Sequence, residues 1–349
     1  MDNLIKDTSL DPILEIKDLT KYFPVKRGGL FSKPSQLKAV DKVNLTINPG
    51  ETLGVVGESG CGKSTLAKTI ARLYETTAGE IYFKGENLTD LNQKQLRGIR
   101  PKIQYVFQDP YESLNPRHTV ATILEEPFVI HTDLTRQQRK EKVLSLLERV
   151  GLPASAAAKY PHEFSGGQRQ RIGIARAIAL EPELLICDEP VSALDVSVQS
   201  QIINLLLDLQ KEMGLAMLFI AHDLAVVKHV SDRIAVMYLG QIIELANGKE
   251  LYDRPHHPYT QFLMEAIPST DPTKKRKRKR LQGELPSPID PPEGCRFYSR
   301  CPLAQSNCQN STPELRITDS GSHPAACHRT ALSISTWEES WDSLQENAP

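Results

Sequence analysis

Three short stretches carry residue types suited to phosphate chemistry. The first, Gly57, Glu58, Ser59, Gly60, Cys61, Gly62, Lys63 and Ser64, followed by Thr65, fits the pattern GxxxxGK[ST] of a phosphate loop. Glycines let the backbone curl so that successive amide N–H groups converge on phosphate oxygens, and a helix N-terminus behind the loop adds a favourable dipole. Lys63 is expected to reach the β and γ phosphates, and Ser64 to ligate Mg2+. The second stretch, LLICDE at 184–189, is an apolar run that ends in two carboxylates. Asp188 at the mouth of such a strand is placed to hold Mg2+ through water, and Glu189 to orient or deprotonate an attacking water. A single acid there would read as a helix cap; two in succession behind a buried strand fit that reading poorly. The third, Phe164, Ser165, Gly166, Gly167 and Gln168, precedes a run rich in arginine (Arg169, Arg171, Arg176). Alone it would read as a flexible turn, but it lies about 20 residues before the acidic pair.

These groups need strands that end, and helices that begin, beside one another. Residues 13–19 and 43–47 alternate as strands do, and 51–56 is a short apolar run that ends at Gly57. A helix is expected to open near Lys63. Residues 135–150 place Val143, Leu146, Leu147 and Val150 on one face, with Thr135 and Gln138 as a capping box and Gly151 as a stop. Residues 196–213 predict another helix, ended by Gly214, and 215–220 and 233–238 return to strand. The alternation implies an α/β sheet with helices on its faces, and 110–175 reads as a mainly helical insertion.

With the acidic pair and the phosphate loop in place, the stretch at 164–168 resembles the signature motif of ABC ATPases, with Phe164 where Leu is usual. Three further matches follow the family's order. Gln108 is similar to the Q-loop residue that touches Mg2+ and couples to a membrane subunit. The segment from Ser192 to Asp195 resembles the D-loop. His222, after an apolar strand, resembles the switch histidine that contacts the γ-phosphate. The resemblance covers about residues 13–255 and implies a P-loop NTPase nucleotide-binding domain with a helical subdomain. It also implies an adenine-stacking aromatic after the first strand: Phe23 fits, with Tyr22 the close competitor, and either ring could instead fill the core. In this family two nucleotide domains face each other head to tail, so that Ser165, Gly166, Gly167 and Gln168 of one chain close over the partner's ATP.

Composition changes after Pro268. Residues 274–280 are an unbroken basic run and a Pro-rich strip follows, which neither a helix nor a central strand sustains. The layout is therefore read as an ATPase domain over 1–267, a linker over 268–284 and a cysteine-bearing extension over 285–349. The basic run reads as a solvated linker, with contact to acidic lipid headgroups as the alternative.

Of six cysteines, Cys61 and Cys187 lie within nucleotide motifs, whereas Cys295, Cys301, Cys308 and Cys327 share the tail. No secretory pattern begins the chain and no run of about 18 apolar residues is present, so a reducing compartment and metal ligation are expected. The spacing is not that of a zinc ribbon, yet four thiolates suit either zinc or an iron–sulfur cluster. The tail, with Arg300, Cys301 and Pro302 and the segment 252–260, resembles the C-terminal extension of oligopeptide and dipeptide importer ATPases. That resemblance implies a [4Fe-4S] cluster, with zinc and unligated thiols as alternatives.

The 42 Lys+Arg against 43 Asp+Glu give a net charge of −1, no global electrostatic reason to bind nucleic acid. A soluble ABC ATPase acting on nucleic acid or ribosomes would be expected to carry a second ATPase domain or an inserted coiled coil. A non-catalytic partner would be expected to lack the glutamate, histidine or signature glycines. The reading is thus an ATP- and Mg2+-dependent ATPase that energises peptide import across a bacterial inner membrane. Its expected partners are a second, paralogous ATPase, two permease subunits and, indirectly, a periplasmic binding protein. ATPases of nickel-chelate or glutathione importers are the near alternatives.

Overall fold

In the computed structural model, residues 11–25, 35–265, 286–289, 291–317 and 323–329 are described, save the side chain of Glu112. The basic run at 274–280 and the acidic end at 338–349 lie outside them.

Among the described residues, ten strands form two sheets. In chain order they are β1 (Leu14–Val25), β2 (Ser35–Ile47), β3 (Thr52–Val56), β4 (Ala78–Phe83), β5 (Glu86–Asn87), β6 (Ile103–Val106), β7 (Leu184–Asp188), β8 (Ala216–Ile220), β9 (Arg233–Tyr238) and β10 (Gln241–Asn247). The larger sheet has the order β10-β9-β3-β8-β7-β6, and its β9-β3-β8-β7-β6 neighbours are parallel. Every residue of β3, β7 and β8 is buried. Their alternate side chains enter two cores: Leu185, Cys187, Met217 and Phe219 on one face, Leu184, Ile186, Leu218 and Ile220 on the other. Continuous apolar runs are what a sheet covered on both faces requires.

The second core is closed by an antiparallel sheet of order β2-β1-β4-β5, which the sequence reading did not anticipate. Leu14, Ile16 and Leu19 of β1, with Val43, Leu45 and Ile47 of β2, pack there with Leu66 and Ile70 of helix α1 (Lys63–Ile70). Both strands run well beyond their expected limits, because β1 pairs with β2 out to Val25 and Ser35 where the alternation is no longer apolar.

The first core is covered by helices. After α1 come α2 (Gln93–Ile99), α3 (Pro110–Ser113), α4 (Val120–His131), α5 (Arg136–Arg149), α6 (Gly166–Ile178), α7 (Val196–Met213), α8 (Leu224–Val230), α9 (Gly248–Asp253), α10 (Pro258–Glu265) and α11 (Ser306–Asn310). The capping box of α5 has the expected partners, Thr135 and Gln138, and α7 ends at Gly214 in the left-handed region. Between 110 and 175 the regular elements are α-helices and 3-10 turns.

The described tail does not stand apart. Ala326 N–H donates to the Ile243 carbonyl at 2.7 Å and Leu245 N–H to the Pro324 carbonyl at 3.1 Å, so the segment pairs along the outer edge of β10. Phe297 (1% exposed) and Ala326 belong to the first core. An edge strand is thereby covered by the chain's own C-terminal segment.

Candidate functional site

Parallel pairing brings the ends of four strands to one edge of the sheet. The register sets Val55 of β3 and Asp188 of β7 both beside Ile220 of β8, and Val106 of β6 beside Cys187. The phosphate loop, the acidic pair, His222 and Gln108 all follow directly. In open α/β sheets, ligands bind outside the carboxyl ends of the strands.

The phosphate loop curls as its glycines allow. Gly62 has φ 112°, and a Cβ there would stand 2.0 Å from the Ala39 carbonyl oxygen. It opens α1 with no side-chain cap and no acid in the first turn, which leaves the N-terminal amides for an anion. Lys63, 4% exposed, donates to the carbonyls of Gly57 and Glu58 at 2.9 and 3.1 Å. A cavity of about 240 Å³ lies over the loop, and its walls include Gly60 to Thr65, Gln108 and Glu189. Burial pushes the Cys61 thiol pKa up, so Cys61 is a packing group.

Glu189 is the focus of the site. Gln108 Nε2 donates to its Oε2 at 3.1 Å, His222 Nδ1 lies 3.6 Å from the same oxygen, and Lys63 Nζ lies 3.9 Å from Oε1. The backbone holds Glu189 at φ 46°, with its N–H on the Ile220 carbonyl. A non-glycine residue in that conformation stores strain that the surrounding sheet must override. One position earlier, Asp188 (2% exposed) accepts from Ser64 Oγ at 2.8 Å and from the Tyr105 hydroxyl at 2.7 Å. Burial raises the Tyr105 pKa first and Asp188 raises it further, so Tyr105 stays a donor. Ser64 and Asp188 present hard oxygen donors together, which fits the requirements of Mg2+.

The signature segment is not part of this convergence within the chain. Ser165 caps α6 in a capping box with Gln168, and both are exposed, while Phe164 is buried in the core. Gly167 is required by packing: a Cβ there would come 2.3 Å from Cγ1 of Val198, and one on Gly166 would meet Leu194 at 3.3 Å. The signature helix is thus fitted against the segment that carries Asp195, itself exposed at the N-cap of α7.

Of the two aromatic candidates, Tyr22 is committed elsewhere. Its hydroxyl donates to Asp41 at 2.5 Å, and burial with that hydrogen bond pushes its pKa up to about 12. Phe23 meets Tyr74 edge-on with centroids 5.6 Å apart, below the Lys21 ammonium at 4.9 Å.

The four tail cysteines line one small cavity of about 10 Å³ with His257, Phe297 and Leu303. Burial raises the thiol pKa of Cys301 to about 12 and of Cys327 to about 11, and neighbouring sulfurs add to both shifts. Among the described residues, the one set of three or more His, Cys, Asp or Glu side chains with ligand atoms all within 4.8 Å is Glu244, His256 and His323.

The family model "ABC transporter" matches residues 40–192, and "Oligopeptide/dipeptide transporter, C-terminal region" matches residues 243–308. The chain is 55% identical over 321 residues to the oligopeptide transport ATP-binding protein AppF of Bacillus subtilis, a match that spans 91% of this chain and 97% of that protein. It belongs to the oligopeptide and dipeptide transport ATP-binding proteins of the ABC transporter family. As an ABC ATPase of this group it is also 51% identical to the dipeptide transport ATP-binding protein DppF of Haemophilus influenzae, over 94% of this chain and 99% of that one. A dimeric post-hydrolysis ATP-binding cassette bound to ADP and Pi superposes with TM-score 0.60 at 32% identity, over 67% of this chain and 98% of that chain. The ABC ATPase therefore has the cassette fold and hydrolyses ATP, with Mg2+ as the accompanying ion. No helix among its described residues is long and apolar enough to cross a membrane. Membership of the peptide-transport ATP-binding subunits implies membrane permease partners.

Sequence reasoning missed Tyr105, Tyr259 and Arg300 as parts of the site. Tyr105 alone carried a signal, since it alternates inward three residues before Gln108. The partners of the other two are far away in sequence.

Proposed function

We propose that this ATPase drives import of di- or oligopeptides across a bacterial inner membrane, at whose cytoplasmic face it sits through two permease subunits. The observation that carries the reading is the convergence of Lys63, Gln108 and His222 on Glu189 in a chain whose C-terminal region is of the peptide-transporter type. Glu189 orients or deprotonates the attacking water, and His222 contacts the γ-phosphate. Ser64, Asp188 and Gln108 hold Mg2+, which neutralises charge on the phosphates when bound. Phe23 stacks on adenine. Ser165 and Gln168 are exposed, and with Gly166 and Gly167 they close over the ATP of a second, paralogous ATPase, while Asp195 faces that partner. Each composite pocket then shifts the population towards a closed dimer when filled and releases it after hydrolysis.

A groove of about 1170 Å³ beside Gln108, with Tyr105, Phe107, Ile130 and Arg176 in its walls, is where permease motion would be received. A periplasmic binding protein supplies the substrate from the other side. The division proposed for the chain is an ATPase domain over 1–267, a linker over 268–284 and an extension over 285–349. Membranes that hold the chain with both permeases and the binding protein are expected to take up labelled peptides with ATP. Uptake of nickel chelates or glutathione in place of peptides would move the chain to a related importer, and co-purification with ribosomes or DNA would overturn the transport reading.

The four thiols are proposed to hold a [4Fe-4S] cluster. Their support is that all four line one carboxylate-free cavity, and a cluster of this type takes one cysteine for each iron. Anaerobically purified protein is expected to be brown, with about four iron and four sulfide per chain as this cluster type dictates. Colourless protein with stoichiometric zinc would replace the cluster by the zinc alternative.

A further inference from the structure

The phosphate loop is held from behind by the C-terminal segment. Arg300 and Glu58 are 242 residues apart, yet Arg300 grips the Glu58 carboxylate with both terminal nitrogens, Nη1 to Oε2 at 2.8 Å and Nη2 to Oε1 at 3.1 Å. The side chain of Arg300 is 8% exposed and its Nη1 also reaches the Tyr238 hydroxyl at 3.3 Å. Two parallel charge-assisted bonds fix direction as well as distance. Glu58 is held at two other atoms: its N–H donates to the buried Tyr259 hydroxyl at 2.8 Å, and its carbonyl accepts from Lys63. Tyr259 and Tyr238 pack with Phe297 of the same tail segment, with ring centroids 4.7 to 5.5 Å apart. A second arginine of the tail, Arg296, donates to Asp41 and to the Leu239 carbonyl, and Pro288 forms part of the wall of the nucleotide cavity.

Glu58 is an acid in a loop that must receive a polyanion. Without a counter-charge its carboxylate would repel the triphosphate and draw the neighbouring Lys63 away from it. We propose that Arg300 is a positioning residue of the nucleotide site, which neutralises Glu58 and holds the phosphate loop in its receptive curl, so that the tail is a working part of the ATPase. This deepens the ATPase reading and rests on it. Arg300 touches no reacting atom; it acts on affinity through Glu58. Because Cys301 follows Arg300 and Cys295 precedes Arg296, whatever fixes the four thiols also fixes both arginines.

The test is steady-state ATP hydrolysis by the full transporter complex. Arg300→Gln is expected to raise the KM for ATP roughly tenfold with kcat within about twofold, the pattern of lost ground-state binding. Arg300→Lys keeps the charge without the fork and should fall between. Glu58→Gln placed in the Arg300→Gln background should bring KM back towards the wild-type value, because no unpaired carboxylate then stands beside the phosphates. Loss of mere tail packing would not be repaired in that way. An unchanged KM in Arg300→Gln, or a double variant no better than the single one, would overturn the inference. If Arg300→Gln fails to assemble, a wild-type KM in Arg300→Lys overturns it equally. The ATPase reading fails separately, by absence of Mg2+-dependent phosphate release from the wild-type complex.

Discussion

Glu189→Gln is expected to abolish turnover while ATP binding persists, and to leave the nucleotide domains trapped as a closed dimer. The exchange keeps size and hydrogen-bonding capacity but removes the basic oxygen on which Gln108 Nε2 and His222 Nδ1 converge. A positioned general base contributes about 10²- to 10⁴-fold, so kcat should fall by at least the lower figure. The fold should tolerate the change, since the backbone of Glu189 is fixed by its own N–H on Ile220 and the side chain is 14% exposed. Phosphate release from the reconstituted complex measures the first effect, and size-exclusion chromatography with ATP measures the second. Robust steady-state hydrolysis by this variant would remove Glu189 from the proposed mechanism.

Lys63→Ala attacks the earlier step. Lys63 is almost entirely enclosed, and in this structure its three ammonium protons face carbonyl oxygens of Gly57 and Glu58 and the carboxylate of Glu189. It is a cation held at the floor of the loop by groups that a phosphate can replace. Charge-assisted hydrogen bonds are worth about 1.5 to 3 kcal/mol, which corresponds to roughly 10- to 150-fold in affinity. A titration with a non-hydrolysable ATP analogue should show that loss, while the melting temperature separates it from misfolding. Unchanged affinity would mean that the loop does not bind the phosphates through Lys63.

The two variants also separate binding from chemistry. Lys63→Ala should show its loss in the binding titration, whereas Glu189→Gln should bind normally and fail only at the hydrolysis that follows. Arg300→Gln would join the first group, at a site that the linear order gives no reason to inspect.

The nucleotide motifs were legible because each is local. A phosphate loop needs its glycines, lysine and serine within eight residues, and its strand and helix flank it directly. The acidic pair ends an apolar strand for the same reason, and Thr135 with Gln138 form a cap over one turn. Periodicity located the central strands because full burial on both faces makes them uniformly apolar. It found parts of β1 and β2 but not their outer halves, nor that they join in a separate antiparallel sheet, where one face is partly open and pairing partners set the ends.

What the sequence determined by itself is therefore the chemistry: the residue types, their short-range spacing, and the α/β alternation that must carry them to strand ends. The folded chain decided which of those ends meet. Only parallel register brings Gln108, Glu189 and His222 into one contact set, and only packing shows that Gly167 is needed because Val198 leaves no room for a Cβ. The tail illustrates the limit most clearly. Its composition reads as a separate appendage, yet Arg300 reaches Glu58, Arg296 reaches Asp41 and Phe297 enters the core. Contacts across more than two hundred residues depend on three-dimensional packing and leave no periodic trace in the chain.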